Sequence, residues 1–490
     1  MRTTVIGVLS ALVLLTAGCG GDSKARAEGA SVVSASAPAF VSINSNLSSD
    51  QWRTTDDLLK SFPGRSQLLQ FIRSSLLREA GLEYDEDIEP ALGDEIDFVW
   101  LDFAAGGDNV VAVTNPEDED AFRRLVERAN RSDAAGDDVV IGEVDDWLVL
   151  ADSQEKVDRF VEQAGDEDKL ADDPIFTAAL DELPDEALVT AYARGEDLVL
   201  AFQELAQGAG AVFQLDPDRR PEFLAAALAA ENDGLRLVGA ARSERGPASE
   251  ADPYESKLIQ DVPGDAVAFL TFRGGEVFAD QRRQLEENPL YRQLLPELER
   301  ELGFSLEQIL SLFRNEVAIY VRPQVPIPEL TLLLETRNEA ETRGAINDVL
   351  SAISRAAVAQ PCHEPGDQAG VEVRCVEFED FAIRSAAFDG KGVVTTGTQA
   401  IAEIRADDEK LPDDERFNQA RDAAEVPDAT PGFLWLDLEG ILPMILGLAE
   451  AADAEVPGEV RANLEPLQSF FAWTELDGRT SSFSAFLQID

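Results

Sequence analysis

A single histidine, three cysteines and ninety-five carboxylates are the residues with which this 490-residue chain could do chemistry. Catalysis by a nucleophile and a base needs a group that exchanges a proton near neutral pH, and only His363 meets that need. It lies in Pro361-Cys362-His363-Glu364-Pro365-Gly366, which reads as an exposed turn. No serine nucleophile elbow and no phosphate-binding lysine loop occurs. Gly208-Ala209-Gly210 lacks the third glycine and the preceding strand of a dinucleotide site, so it reads as a linker. The acidic runs at 117–120, 407–409 and 413–415 lack the spaced oxygen ligands and central glycine of a calcium loop. They read as solvated acids at helix starts, where the helix dipole favours them. The expectation is a protein with no catalytic residue, no metal and no cofactor.

The cysteines say more. Residues 1–18 hold Arg2, an apolar run from Val5 to Leu15 and then small residues, the layout of an export signal. The run is too short to span about 30 Å of hydrocarbon, which takes roughly 20 apolar residues. Leu15-Thr16-Ala17-Gly18-Cys19 resembles a bacterial lipobox, although Thr16 stands where leucine is usual. Cys19 is accordingly expected to carry the acyl chains that fix the mature chain to the outer face of the cytoplasmic membrane. An ordinary signal peptide with a chance cysteine is the alternative. Cys362 and Cys375, with twelve residues between them, are expected to form a disulfide in an oxidising compartment. With His363 as the lone neighbouring histidine they make a poor zinc site.

The net charge of −54 excludes nucleic acid as a partner and opposes contact with anionic headgroups. Membrane residence would come from the acyl tether, while the acidity keeps the body soluble. Length favours two domains. Residues 19–37, rich in Gly, Ser and Ala, read as a flexible tether.

The remainder reads as two tandem related halves, 38–242 and 260–490, joined by a linker at 243–259 where Arg245-Gly246-Pro247 and Asp252-Pro253 punctuate the chain. Ala39-Phe40-Val41-Ser42-Ile43 recurs as Ala268-Phe269-Leu270-Thr271-Phe272, and Asp94-Glu95-Ile96 as Asn315-Glu316-Val317. Ser153-Gln154 matches Thr398-Gln399, Leu170 to Phe176 aligns without gaps on Leu411 to Phe417, and Asp233-Gly234 matches Asp477-Gly478. Within the halves, 66–80 is periodic as a helix, 110–113, 139–144 and 147–150 as strands, and Asp145-Asp146 as a hairpin turn. Alanine-rich Glu222 to Glu231, after Pro221 and before Gly234, is predicted to be a helix. Strands joined by short turns, with helices interspersed irregularly, point to an α+β fold in which each half is a mainly antiparallel sheet with packed helices. The continuously apolar Ile441 to Leu448, followed by Phe470-Phe471-Ala472-Trp473, reads as core helix and strand, or as the wall of an apolar pocket.

Lipobox, acidic body and twofold repetition together resemble a family of bacterial envelope lipoproteins common in actinobacteria, domain of unknown function 3352. The resemblance spans nearly the whole mature chain and implies an envelope location and a duplicated architecture, without active residues. The function expected is a non-enzymatic, membrane-anchored binding or assembly module with an envelope protein as partner. The alternatives are a carrier of a lipid or small apolar ligand held between the halves, and a carboxylate-based hydrolase.

Overall fold

The computed structural model describes residues 27–67, 88, 91–104, 107–131, 138–166, 168–208, 220–243, 252–275, 295–297, 299–300, 303–324, 327–357, 359–362, 367–368, 370–379, 381–451, 454 and 456–490. Lipobox and Cys19, His363 and all but the start of the helix predicted at 66–80 lie outside them. The fold is α+β with antiparallel strand pairing. The chain divides into two compact units: Met1–Pro247 with 477–484 and 489–490, and Ala248–Leu476 with 485–488.

Unit 1 contains β1 (Ala39–Asn44), α1 (Asp50–Leu59), β2 (Gly93–Trp100), β3 (Val110–Pro116), α2 (Glu119–Arg131), β4 (Val140–Val144) and β5 (Trp147–Ala151). It continues with α3 (Gln154–Ala164), α4 (Pro174–Leu180), β6 (Val189–Arg194), α5 (Gly195–Gly208), β7 (Pro221–Glu231) and β8 (Gly234–Ser243). The strands pair in the order β4-β5-β3-β2-β1-β6-β7-β8. Apolar runs, β-branched in β3 and Trp-Leu-Val-Leu-Ala in β5, bury both strands on both faces, and β4 turns into β5 through Asp145, whose φ of 49° suits a two-residue hairpin. Phe40, Phe176 and Tyr192 stack edge to face at the centre of the core, with ring centroids 5.8 and 5.0 Å apart.

Unit 2 contains β9 (Ala268–Arg273), α6 (Leu306–Leu312), β10 (Glu316–Arg322), β11 (Glu329–Glu335), α7 (Glu339–Ala356), β12 (Arg374–Glu377), β13 (Ala382–Phe388) and β14 (Lys391–Thr395). Then come α8 (Ala400–Arg405), α9 (Glu415–Ala424), β15 (Gly432–Asp437), α10 (Leu438–Ala451), α11 (Gly458–Leu464) and β16 (Leu467–Asp477), while the closing β17 (Thr480–Ile489) belongs to unit 1 over 480–484 and 489 and to unit 2 over 485–488. The pairing order is β12-β13-β14-β11-β10-β9-β15-β16. From β13 onward this repeats strand for strand the order β4 to β7 of unit 1. Trp435 faces Phe417 edge-on at 5.1 Å, where Tyr192 meets Phe176 in unit 1. Asp173 and Asp414 each cap the helix that follows, accepting from Ile175 N and Phe417 N.

Four sequence expectations are corrected. The alanine-rich stretch at 222–231 is a strand, because pairing with β6 on one edge and β8 on the other outweighs alanine's helix preference. Its burial alternates through Phe223, Ala225, Ala227 and Ala229, and Asn232-Asp233 closes the hairpin onto Gly234. The end of the expected tether is core: residues 28–31 form a 3-10 turn, and Ala27, Ala30, Val32, Val33 and Ala37 are buried. The end of the expected linker is core as well, since Leu258–Asp261 form the matching 3-10 turn, and Leu258, Ile259 and Tyr254 are buried. In the unit 1 turn it is the small Gly29 and Ala30, read as solvated spacer, that let the chain lie flat against the sheet. Finally, the apolar 441–448 is a helix, but only Leu446 is buried; Ile445 and Leu448 are 52% and 41% exposed. The strand reading of 470–473 holds, with Phe471 and Trp473 buried in β16.

Candidate functional site

Cys362 and Cys375 are disulfide-bonded with their Cα atoms 5.4 Å apart, and Cys362 N–H donates to the Cys375 carbonyl. Two of the three acidic runs start helices, Asp118 accepting from Ala121 N at 2.8 Å and Asp414 from Phe417 N at 3.0 Å, while 407–409 lies in the loop before the 3-10 turn at Leu411. Among the described residues no three His, Cys, Asp or Glu side chains gather as a metal would require, and no helix is long and apolar enough to cross a membrane.

Two features carry chemistry that the residue types alone did not reveal. The first is an open trough of about 600 Å³ in unit 1, on the sheet face turned away from the aromatic core. Ala39 and Val41 of β1, Ala191 and Ala193 of β6 and Ala226 of β7 form its floor, and Leu198 of α5 flanks it. Small side chains at alternate positions of three adjacent strands keep this floor low, so the helix layer cannot close on it. Among the described residues no charged side chain lines the trough, and its polar groups are the hydroxyls of Ser481 and Ser482, the indole of Trp100 and the largely buried Tyr192. Such a surface suits an apolar group better than an ion.

The second is a buried carboxyl pair beneath the 3-10 turn of unit 1. Glu95 and Asp97 are two apart on β2, so they share one sheet face. They are 3% and 0% exposed. Gly29 N–H donates to Glu95 Oε1 at 2.6 Å and Ser42 Oγ donates to Glu95 Oε2 at 3.2 Å. Among the described residues neither oxygen of Asp97 has a hydrogen-bond partner. A Cβ at Gly29 would collide with Asp97 Oδ2, so only glycine lets the turn rest on the pair. Burial pushes the Asp97 carboxyl well above the usual carboxylate range, and the neighbouring Glu95 charge pushes it further. Burial also raises Glu95, against the pull of the Gly29 amide. Two buried like charges side by side cannot both ionise cheaply, so each carboxyl opposes the ionisation of the other.

Unit 2 builds the same cradle around one carboxyl. Glu316, 0% exposed, accepts from Ser256 Oγ at 2.5 Å, Lys257 N at 2.9 Å, Leu258 N at 3.2 Å and Thr271 Oγ1 at 3.3 Å. Strand register sets Thr271 opposite Ala318 as it sets Ser42 opposite Asp97. Alanine thus occupies the place of the second carboxyl. Sequence reasoning flagged Glu95 and Glu316 as parts of a repeated block but missed their role. The signal was there, in an acid recurring at the same place in both blocks.

Comparison with curated proteins finds no match. Crystal forms IV and I of TP0453 are similar to this chain at 14% identity and a TM-score of 0.24, covering 45% and 48% of it and 75% and 79% of those chains. A likeness of that degree carries no argument. A family model described as "Protein of unknown function (DUF3352)" matches residues 3–489, and on that span the chain belongs to the DUF3352 family.

Proposed function

We propose that this protein is an extracytoplasmic lipoprotein of a bacterial, actinobacterial-type cell envelope, anchored through acylated Cys19, in which two related halves act as a non-enzymatic binding module. The observation that carries the binding role is the uncharged, alanine-floored trough of unit 1, in a chain whose net charge is −54. A surface rich in carboxylates that leaves one concave region without a single charge has set that region apart for something apolar. Between assembly on a protein partner and carriage of a lipid or small apolar ligand, the trough favours carriage. The hydrolase reading needs two carboxyls in an open cleft; the pair brought together here, Glu95 and Asp97, is sealed under Gly29. Matching strand order in the two units supports the reading of tandem relatives.

The test is native mass spectrometry of the Cys19→Ser chain purified from its own envelope. A stoichiometric apolar adduct that disappears in Ala226→Trp, which fills the trough, is the expected result. A wild-type trough that stays empty would return the protein to assembly on a partner. The anchor is tested separately: Cys19→Ser should release the chain from membranes, and unchanged retention would sink the lipoprotein reading.

A further inference from the structure

We propose that Glu95 and Asp97 form a one-proton latch, which fastens the turn Ala27–Val32 onto unit 1 when the pair is protonated and frees it when the proton leaves. The geometry assigns this role. The turn lies over the pair and is fixed to it by one amide, Gly29 N–H on Glu95 Oε1. Apart from that amide, the Ser42 hydroxyl is the one donor that the described residues supply to the two carboxyls. With the proton in place, one carboxyl donates to the other and the pair carries a single charge that these two donors can satisfy. When the proton passes to water, a second charge appears with no donor of its own. Water is then its remaining source of hydrogen bonds, and it reaches the pair once the turn lifts.

The groups facing the pair cannot offset that charge. The turn presents Glu28, whose negative charge acts on both carboxyls in the same unfavourable sense. β1 presents Ser42 opposite Asp97 and Asn44 opposite Glu95. β3 presents Val113 opposite Asp97, and its Thr114 hydroxyl donates to the Glu95 carbonyl instead. From β5 comes the ring of Trp147, against Gly29. None of these is a cation. Farther along, the backbone bonds Ala35 N–H on the Asp168 carbonyl and Leu170 N–H on the Val33 carbonyl fasten residues 33–37, joined by the Ser34 hydroxyl on Asp166, and neither Glu95 nor Asp97 takes part. The latch is therefore local to 27–32. Burial raises the pair, so the closed turn holds its proton more tightly than the opened one. Closure is full at acid pH and is lost as pH climbs from the ordinary carboxylate range toward the raised value.

Hydrogen exchange of the full chain from pH 5 to pH 9, corrected for the intrinsic pH dependence of amide exchange, reads this directly. Protection of the Gly29, Ala30 and Val32 amides is expected to fall by up to about tenfold per pH unit through the titration, one proton's worth. Ala35, and the Lys257 and Leu258 amides on the single carboxyl of Glu316, should show no such slope. Asp97→Asn, and Asp97→Ala which copies Ala318, should both flatten the profile at Gly29. A flat profile in the wild-type chain overturns the latch whatever the variants do. So does a slope that persists in both variants, or one shared equally by Leu258.

Discussion

The two cradles differ by an exchange of bulk. Unit 2 lays Leu258 over a strand bearing Ala318, and unit 1 lays Gly29 over a strand bearing Asp97. In each, the amide of the overlying residue donates to the buried glutamate. Large over small and small over large fill comparable space, so the backbone is preserved while the electrostatics are not. Unit 2 has four donors for one carboxyl; unit 1 has two donors for two carboxyls. The same fold thus yields a rigid fastening in one place and a titratable one in the other.

Four measurements break or sharpen that contrast. The largest effect is expected for Glu316→Ala, which orphans two amides and two hydroxyls and should lower the stability of unit 2 by about 3 to 5 kcal/mol in denaturant unfolding. Glu95→Ala should lose markedly less, because it also relieves Asp97 of its neighbour; equal losses would erase the distinction. Reduction of Cys362–Cys375, which closes a short loop in unit 2, should cost about 3 kcal/mol on the chain-entropy model and leave exchange from β1 to β6 of unit 1 unchanged. Gly29→Leu should destabilise unit 1 by about 2 to 3 kcal/mol through overpacking on Asp97, and adding Asp97→Ala should restore at least half. No rescue would mean that the exchange of bulk is coincidental. The smallest effect is a gain. Asp97→Asn should stabilise the protein by about 1 to 2 kcal/mol at neutral pH and by less as pH falls toward the ordinary carboxylate range, where the wild-type pair keeps its proton. A gain independent of pH would point to packing alone.

How much of this was readable beforehand depended on whether a signal was local. The β4–β5 hairpin at Asp145-Asp146 was legible because a two-residue turn between β-rich runs needs no tertiary information. The α+β class followed from the same short-range punctuation. At 222–231 the local signal misled, since alanine prefers a helix in isolation and only the two flanking strands decide otherwise. Residues 27–37 were misread for the related reason that small residues suit either a solvated spacer or close approach to a sheet. The carboxyl pair was hidden by its pattern. Glu95-Ile96-Asp97-Phe98 alternates as a strand with one wet face would, yet here the acidic face is the one covered by Gly29. The apolar trough was out of reach altogether, because its alanines come from three strands distant in sequence.

Because residues 27–37 are folded into unit 1, they also set how the molecule takes tension applied at its start. Ser34 bridges Lys169, and Ala35 and Val33 bond to 168 and 170, so a pull toward the N-terminus first loads this strap and not β1. Peeled away, its eleven residues would pay out roughly 36 to 40 Å of slack before any sheet strand felt the load, the behaviour of a shock absorber placed ahead of the body it protects.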